Sequence, residues 1–344
     1  MKFYTKISTK INRSNKAKIN IIIFILVSLI AMALISIVFG SVKLSLKSIY
    51  SALLNNNSAD SVYKIIVFVR IPRTIAAIAA GAALATAGAV LQSVLNNALA
   101  SPNIIGINSG SGLFVVMLTA FFPSYISLAP AAAFAGALIA ALFIYFIAYK
   151  TGASRITIIL AGIAIGSFFS AIIDAIFTLD PDIMLSANSF MVGGFSSVSS
   201  DAVFYSLIYI TIGLIAAFLL SNEMNVLALG DDIAATLGMR VNVIRMILIS
   251  TSALLAGSAV SFSGLLGFVG LIIPHICRSI IGADNKYLIP ASAALGAVFV
   301  LSCDFISRMI FAPYELPVGI MMSAIGGPFF IYLLFKQRRG RLYD

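Results

Sequence analysis

TIAAIAAGAALATAGAVLQSVLNNALASPNIIGINSGSGLFVVMLTAFFPSYISLAPAAAFAGALIAALFIYFIAY, residues 74–149, decides the fold, because it contains no Asp, Glu, Lys or Arg. A helix needs about 20 apolar residues to cross a bilayer, so a run of this length must fold back on itself as three helices. Turn-forming residues divide it at 96–97 with 101–103, and again at 123–124. The predicted spans are residues 75–95, 104–122 and 126–149.

The composition of the whole chain is that of a helical membrane protein. Of its 344 residues, 61% are hydrophobic and 10% are charged, whereas a soluble domain carries about 25% charged residues. The apolar runs are continuous, while a transmembrane β-barrel would show alternating segments of about ten residues. The sequence therefore predicts an all-α, polytopic membrane protein.

Further apolar runs complete the predicted topology. The first, residues 19–40, is longer than the 7–15 residues of a signal-peptide core and is read as an uncleaved span. The others are 156–178, 202–221, two spans in 243–277 divided at 261–264, 287–307 and 316–335. We expect a basic cytoplasmic N-terminal segment (1–18), a ten-span domain (19–336) and a basic cytoplasmic tail (337–344), with polar external segments at 41–73 and 179–201.

The net charge of +10 is explained by orientation in a membrane. Most of the 22 Lys and Arg residues fall at the termini and in the turns that this topology places in the cytoplasm, as the positive-inside rule requires. We therefore expect lipid as the surroundings of the chain and no nucleic-acid partner.

The chain lacks the residue sets of common catalytic and metal sites. It has no Gly-x-x-x-x-Gly-Lys-Ser/Thr phosphate loop, and its one histidine, His275, has no Cys, Asp or Glu at metal-ligand spacing. Cys277 and Cys303 lie in apolar runs, which is typical of buried thiols. Asp174 and Asp304 lie near the external ends of their spans, whereas ion-coupled transporters carry ionisable residues near the midplane. We predict no catalytic residue, no metal site and no ion coupling.

A charged island, residues 222–245, interrupts the apolar runs with the sequence NEMNVLALGDDIAATLGMRVNVIR. Asp231 can serve as the N-cap of a short helix and Gly238 as its stop, with Ile233 and Leu237 on one face. Because so short a helix is marginal in water, it needs a packing partner, which a second protein could supply. An ordinary polar loop is the alternative.

Three arginines, Arg70, Arg73 and Arg308, fall on the external side of this topology. An Arg at the centre of a bilayer costs roughly 2.5–3.5 kcal/mol on insertion scales, so we expect these side chains at the interface or above it. They either anchor helix ends or form a basic rim that receives acidic groups of an external partner.

Four blocks of the sequence resemble the FecCD family of ABC-transporter permeases. They read RIPRTIAAIAAGAALATAGAVLQSVLNNALASPNIIGINSGSG, LALGDDIAATLGM, SGLLGFVGLIIPHICRSIIGADNKYLIPASAALGAVFVLSCDFISR and ELPVGIMMSAIGGPFFIYLLFK, in family order from about residue 70 to 336. The resemblance implies the permease subunit of a type II ABC importer, with ten spans, in the inner membrane of a bacterium.

The same resemblance implies partners and a cargo. The chain would pair with a second permease copy, identical or closely related, and bind two ATPase subunits that carry the ATP, with no cofactor of its own. An extracytoplasmic binding protein would deliver an iron–siderophore complex, with haem or cobalamin as alternatives within the family. The rival interpretations are an ion-coupled secondary transporter and a divalent-metal ABC permease, and the single histidine disfavours the latter.

The resemblance also implies roles for particular residues. Arg70, Arg73 and Arg308 match arginines that meet glutamates of the binding protein. The fifth span resembles a wall of the central pathway, which makes its Gly162, Gly166, Ser167 and Ser170 pathway-lining candidates; the Gly-x-x-x-Gly spacing also allows close helix approach. The segment expected to dock into the ATPase comprises Leu229, Gly230, Asp231, Asp232, Ile233, Ala234, Ala235, Thr236, Leu237 and Gly238.

Overall fold

The computed structural model describes residues 14–341, except 43, 56–59, 151–154, 197, 311 and 313. Residues 1–13 of the predicted N-terminal segment and 342–344 of the predicted tail lie outside the described part of the chain. The α-helices within that part are α1 Asn15–Val38, α2 Leu46–Asn55, α3 Ser61–Lys64, α4 Ile71–Val94, α5 Ile107–Phe121, α6 Ala129–Lys150, α7 Arg155–Leu179, α8 Pro181–Val192, α9 Ser200–Leu219, α10 Ser221–Leu227, α11 Asp231–Thr236, α12 Val241–Ser263, α13 Val269–Ile281, α14 Asn285–Ile310 and α15 Val318–Arg341.

The all-helical prediction is confirmed for the described residues. Seven helical stretches there are long and apolar enough to cross a membrane, namely Asn15–Val38, Ser61–Val94, Pro123–Lys150, Arg155–Leu179, Ser200–Leu219, Val241–Ser263 and Asn285–Ile310. Three further apolar helices are shorter, and they are Ile107–Phe121, Val269–Ile281 and Val318–Tyr332. The uncharged run that opens at residue 74 does form three helices, α4, α5 and α6.

Helix α4 lies at the centre of the molecule. Most of its side chains are buried, and it packs against α12, α13 and α14. A Cβ atom on Gly88 would collide with the backbone of Gly270 in α13, and one on Gly81 with the backbone of Gly296 in α14. Small residues that let backbones touch are a main source of helix association in membranes, because lipid provides little hydrophobic drive. These glycines therefore set the spacing of the central helices.

The helix that contains α4 begins earlier than the sequence suggests. Residues 61–73 were expected in a polar external segment, but α3 runs into a π-helical turn, Ile65–Arg70, and then into α4 without a break. In this turn the N–H of Ile71 bonds to the carbonyl of Ile66, five residues earlier. Pro72 is the second residue of α4, and because it has no N–H it donates no helical hydrogen bond at the point where the bonding changes from π-helical to α-helical. Arg70 and Arg73 are consequently helical residues.

Other boundaries also differ from the prediction. The external segment 179–201 contains α8, whose N-cap Asp180 accepts a hydrogen bond from the N–H of Asp182. Helix α5 is shorter than the span expected at residues 104–122, and α13 begins and ends four residues later than the span expected at 265–277, since residues 95–106 and 264–268 are not helical except for turns. Helix α15 continues to Arg341, into the segment expected as a tail.

We expect Gly88→Ala to destabilise the protein by about 1–3 kcal/mol, the usual cost of overpacking a close-packed contact, because α4 and α13 must move apart. Gly327→Ala in α15 is the matched control, since a Cβ there meets nothing within 4 Å. Thermal unfolding of the purified detergent-solubilised protein measures both. Equal melting temperatures for the two variants would contradict the packing described.

Candidate functional site

The charged island forms a defined surface helix, α11. Its N-cap is Gly230, with φ of 118°, and Asp231 is the first helical residue without a capping hydrogen bond, so the expectation of Asp231 as N-cap is wrong. The predicted end of the helix at Gly238 is correct, since this residue has a φ of 83°. The N–H of Gly238 donates to the carbonyl of Ala235, and the N–H of Met239 donates to the carbonyl of Ala234. This pair of bonds is the Schellman motif of a helix C-terminus.

Asp231 is held by two arginines from different helices, and this explains why it does not cap α11. Its Oδ1 lies 2.7 Å from Nη2 of Arg155, the first residue of α7, and its Oδ2 lies 2.7 Å from Nη2 of Arg245 in α12. Burial alone would raise the pKa of the Asp231 carboxyl, but the hydrogen bonds and charges of Arg245 and Arg155 outweigh it, so this pKa is lowered. We call Arg155, Asp231 and Arg245 the Asp231 clamp.

The outer face of α11 is apolar and exposed. Leu229, Ile233 and Leu237 are 53%, 43% and 64% exposed, while Ala234 on the inner face is fully buried. The expected apolar face is therefore present and unoccupied in this chain. The expectation that a partner must supply the stability of the helix is not met, because the Asp231 clamp, the Ala234 contact and the C-terminal motif hold α11 against the rest of the chain.

A second polar network ties the island to the central helices, and no sequence pattern indicates it. Asn225 of α10 accepts from the backbone and side-chain N–H groups of Asn285 at 2.9 Å and donates to Asp284 at 2.9 Å. The network continues from Asn285 through Ser93 of α4, at 3.0 Å, to Arg278 of α13, at 3.4 Å. Its bonded pairs lie 59 or more positions apart in the sequence, as in Asn225 with Asp284, so no local pattern reveals them.

The arginines expected at an exposed rim are buried. Arg73 Nη2 lies 2.9 Å from Asp304 Oδ1, and Arg73 Nη1 lies 2.6 Å from Glu315 Oε2. Arg308 Nε lies 3.1 Å from the other Asp304 oxygen, and its Nη2 donates to Ser36 at 2.8 Å. Arg73 and Arg308 are 7% and 3% exposed. The structure therefore differs from the expectation because carboxylates of this chain already compensate both charges.

Arg70 is satisfied in another way. It is 4% exposed and donates to the carbonyls of Ile37, Val38 and Val42 at 2.9, 2.6 and 2.6 Å. These are carbonyls at and after the end of α1, which lack partners inside that helix. Arg70 thus closes the end of α1, and a role of the three arginines in docking an external protein stays a prediction.

The four pathway-lining candidates do lie together. Gly162, Gly166, Ser167 and Ser170 line an open groove of about 410 Å³ beside α7. A Cβ on Gly162 would lie 2.8 Å from the carbonyl oxygen of Ile104, so the close approach is made by the turn before α5 and not by a second helix. Gly166 is also buried, and a Cβ there would make ordinary van der Waals contact with Ser109 Oγ at 3.4 Å. Whether cargo passes here stays a prediction.

The remaining chemistry-bearing residues lie in the interior or against other side chains. Cys277 and Cys303 are buried and unpaired, as expected for core thiols. The ring of His275 lies 6.4 Å from that of Phe329, edge to face. Among the described residues no group of His, Cys, Asp and Glu is placed to hold a metal ion.

Comparison with known proteins identifies the family. The profile of the FecCD transport family matches residues 26–336, most of the chain. The chain belongs to the FecCD family. The resemblance seen in the four sequence blocks is thereby confirmed, and the chain is a permease of the ABC-importer class.

Individual relatives match over most of their length. The chain is 38% identical over 332 residues to the Fe(3+)-citrate import system permease protein YfmE of Bacillus subtilis (strain 168), covering 96% of this chain and 99% of that protein. It is 37% identical over 311 residues to the iron(3+)-hydroxamate import system permease protein FhuB of the same organism, covering 90% and 81%. A solved inward-facing metal-chelate type ABC transporter superposes with a TM-score of 0.82 at 28% identity, covering 92% of this chain and 99% of that one.

We expect Asp231→Asn to loosen α11 of this FecCD permease. Arg245 is 1% exposed, and breaking a fully buried pair costs about 3–5 kcal/mol. Because the Asp231 side chain is 42% exposed, solvent screening reduces the expected loss to about 1–2 kcal/mol. Amide hydrogen exchange across residues 230–239 should accelerate about ten-fold.

Asp232→Asn is the control for this test. Asp232 neighbours Asp231, is exposed, and makes no ion pair in the part of the chain that the structure describes. Its substitution removes the same charge from the same turn and should leave the exchange rates unchanged. If both variants accelerate exchange equally, the Asp231 clamp does not hold the helix.

Proposed function

We propose that the chain is the permease subunit of a type II ABC importer that carries ferric siderophores across the inner membrane of a bacterium. Membership of the FecCD family supports the class of protein. The names of the two Bacillus relatives, which refer to ferric hydroxamate and ferric citrate import, support a ferric chelate as the cargo. Haem and cobalamin are the alternatives that the family leaves open.

We infer ten spans with both termini in the cytoplasm. The three short apolar helices, α5, α13 and the first part of α15, occur where predicted spans three, eight and ten were placed. Alone, each would be short for a bilayer of about 30 Å, but irregular backbone is tolerated at membrane depth where it is buried in protein or lines a cavity. Asn103 and Ile104, in the non-helical segment before α5, line the groove. The irregular backbone at this point therefore borders a cavity, which supports α5 as a span.

Cysteine labelling tests this topology. Ser51→Cys in α2 should react with an impermeant thiol reagent added outside intact cells, because this exposed position lies after an odd number of spans. Ala283→Cys, in the exposed turn before α14, should react only after the membrane is opened. The native Cys277 and Cys303 are buried and give little background. Labelling of both positions from the same side would overturn the ten-span arrangement.

The proposed assembly contains a second permease, two separate ATPase subunits and an extracytoplasmic binding protein. The second permease is an identical copy or a close relative. Each ATPase would receive the exposed apolar face of α11, and the binding protein would dock on the opposite side, near Arg70, Arg73 and Arg308. ATP stays on the ATPase, and this chain makes no covalent bond with its cargo.

The observation that carries the mechanism is the double role of Arg155, which is the first residue of α7 and half of the ion pair to Asp231. A displacement of α11 by an ATPase would therefore pass directly to α7. Helix α7 buries few of its own side chains, namely those of Ile158, Ile165 and Ile173, so it can shift with little loss of packing. Since α7 also lines the groove, the shift would open or close the route between two permease copies.

The double variant Ile233→Ser/Leu237→Ser tests this coupling. Burying such side chains stabilises a contact by roughly 1.5–3 kcal/mol each, so their loss should release the ATPase. We expect the variant to insert and fold normally, yet to lose ATPase co-purification and ferric-chelate uptake together. Leu185→Ser is the control, since Leu185 is also exposed, at 77%, but lies in α8 beyond the far end of α7. Full uptake by the double variant would place the coupling contact elsewhere.

A further inference from the structure

Two adjoining cavities form one continuous groove beside α7. The larger, of about 410 Å³, and the smaller, of about 240 Å³, share Asn103, Ser109 and Ser170 in their walls. The combined groove is built from α7, the start of α5 and the loop before α13. A groove of this volume can hold a ligand of several hundred daltons, because it lies in the size range of small-molecule binding sites.

The hydroxyl groups in this groove are free. Ser109, Ser167 and Ser170 make no side-chain hydrogen bond within the described residues, whereas Ser93, Ser258 and Ser263 each donate to a carbonyl four residues earlier on their own helices. Free hydroxyls on a membrane-embedded wall can donate to and accept from a passing ligand.

A buried amide in the same wall lacks a partner. Asn108 is 6% exposed and lines the smaller cavity, and its Oδ1 makes no hydrogen bond among the described residues. Nearly all buried polar atoms in proteins are hydrogen-bonded, so an orphaned one indicates a ligand or water site. Since an amide can be turned over about its χ2 bond, Asn108 can offer either an acceptor or a donor to the groove.

Among the described residues that line the groove, Asp174 supplies the one charged side chain. Asp174 lines the larger cavity and is exposed, five residues before the end of α7 that is remote from Arg155. It makes no ion pair within the described residues, and neither cavity has a Lys or Arg in its wall. A cargo with several negative charges would meet repulsion here, while a neutral or positive cargo would not.

We propose that this groove selects its cargo by charge, with Asp174 as the specificity-determining residue: it favours a neutral or cationic ferric chelate with outward amide and hydroxyl groups, such as a trihydroxamate, over a multiply anionic ferric carboxylate. Asn103, Asn108, Ser109, Ser167 and Ser170 supply the matching hydrogen bonds. The proposal rests on the proposed function of the chain as a ferric-chelate permease.

Uptake of radio-iron tests the proposal in cells that contain the complete importer. The probes are a cationic linear ferric trihydroxamate, a neutral cyclic ferric trihydroxamate and ferric citrate. The charge series is wild type, Asp174→Asn and Asp174→Lys, with Asp201→Asn as the control, because Asp201 is also an exposed carboxylate but lies outside the groove. The delivery proteins are the same in every strain, so a changed ratio between chelates reports on the permease.

We expect Asp174→Lys to lower the uptake ratio of cationic trihydroxamate to ferric citrate at least ten-fold, Asp174→Asn to lower it less, and Asp201→Asn to leave it unchanged. The neutral trihydroxamate should change least across the series. Protein amount and melting temperature of each variant exclude a folding defect, which would lower all three uptakes together and leave the ratios fixed.

The outcomes separate this proposal from the proposed function. If wild-type cells take up none of the chelates faster than cells that lack the chain, the proposed function fails. If wild-type cells take up chelates and the ratios stay constant from Asp through Asn to Lys, charge selection by the groove is refuted while the proposed function stands.

Discussion

The Asp231 clamp is the interaction on which the functional arrangement depends. Helix α11 has six residues and buries only Ala234, so packing alone would hold it weakly. Because the two oxygens of Asp231 bind arginines of α7 and α12, the surface helix is fixed to two membrane helices at once. One carboxylate thus joins the exposed face of α11 to the helix that lines the groove.

Polar residues bracket the apolar centre of the molecule at both ends. On one side Asp304 sits fully buried between Arg73 and Arg308; on the other, the Asn225–Asn285 network joins α10 to the central helices. Between them α4 meets its neighbours through glycine and alanine. Removing a charge from a buried cluster leaves its partner uncompensated, so each cluster fixes how helices distant in sequence are paired.

The sequence predicts the parts of this structure that depend on local pattern. Length and hydrophobicity give the all-helical fold and the three helices after residue 74, and Gly238 ends α11 because its positive φ suits glycine. The sequence does not predict features set by distant partners. Arg73 and Asp304 are 231 positions apart, so their pairing is invisible in a linear reading and the arginines were expected at an exposed rim.

The same limit explains the error at Asp231 and the missed helix before Arg73. An Asp ahead of an apolar run indicates an N-cap locally, but Arg155 and Arg245, which lie 76 and 14 positions away, provide stronger bonds. Polar residues before Arg73 indicated an external segment, but the helix continues through the π-helical turn because Arg70 finds carbonyl partners at the end of α1. Of the pathway candidates, the clustering around Gly166 follows from their shared helix face, which Asp174 continues four residues beyond Ser170. Asn108 of α5 joins them only through the fold.

The π-helical turn at Ile65–Arg70 also determines how this region tolerates changes of chain length. A π turn accommodates one more residue than the α-helix around it. Because the extra residue is absorbed within that turn, deleting one residue there would restore regular α-helical bonding and leave α3 in nearly the same orientation relative to α4. The same deletion in the regular helix on either side would rotate everything upstream by about 100° and carry buried side chains such as Ile66 out of the core. The π turn is therefore the place in this helix where a one-residue deletion changes the packing least.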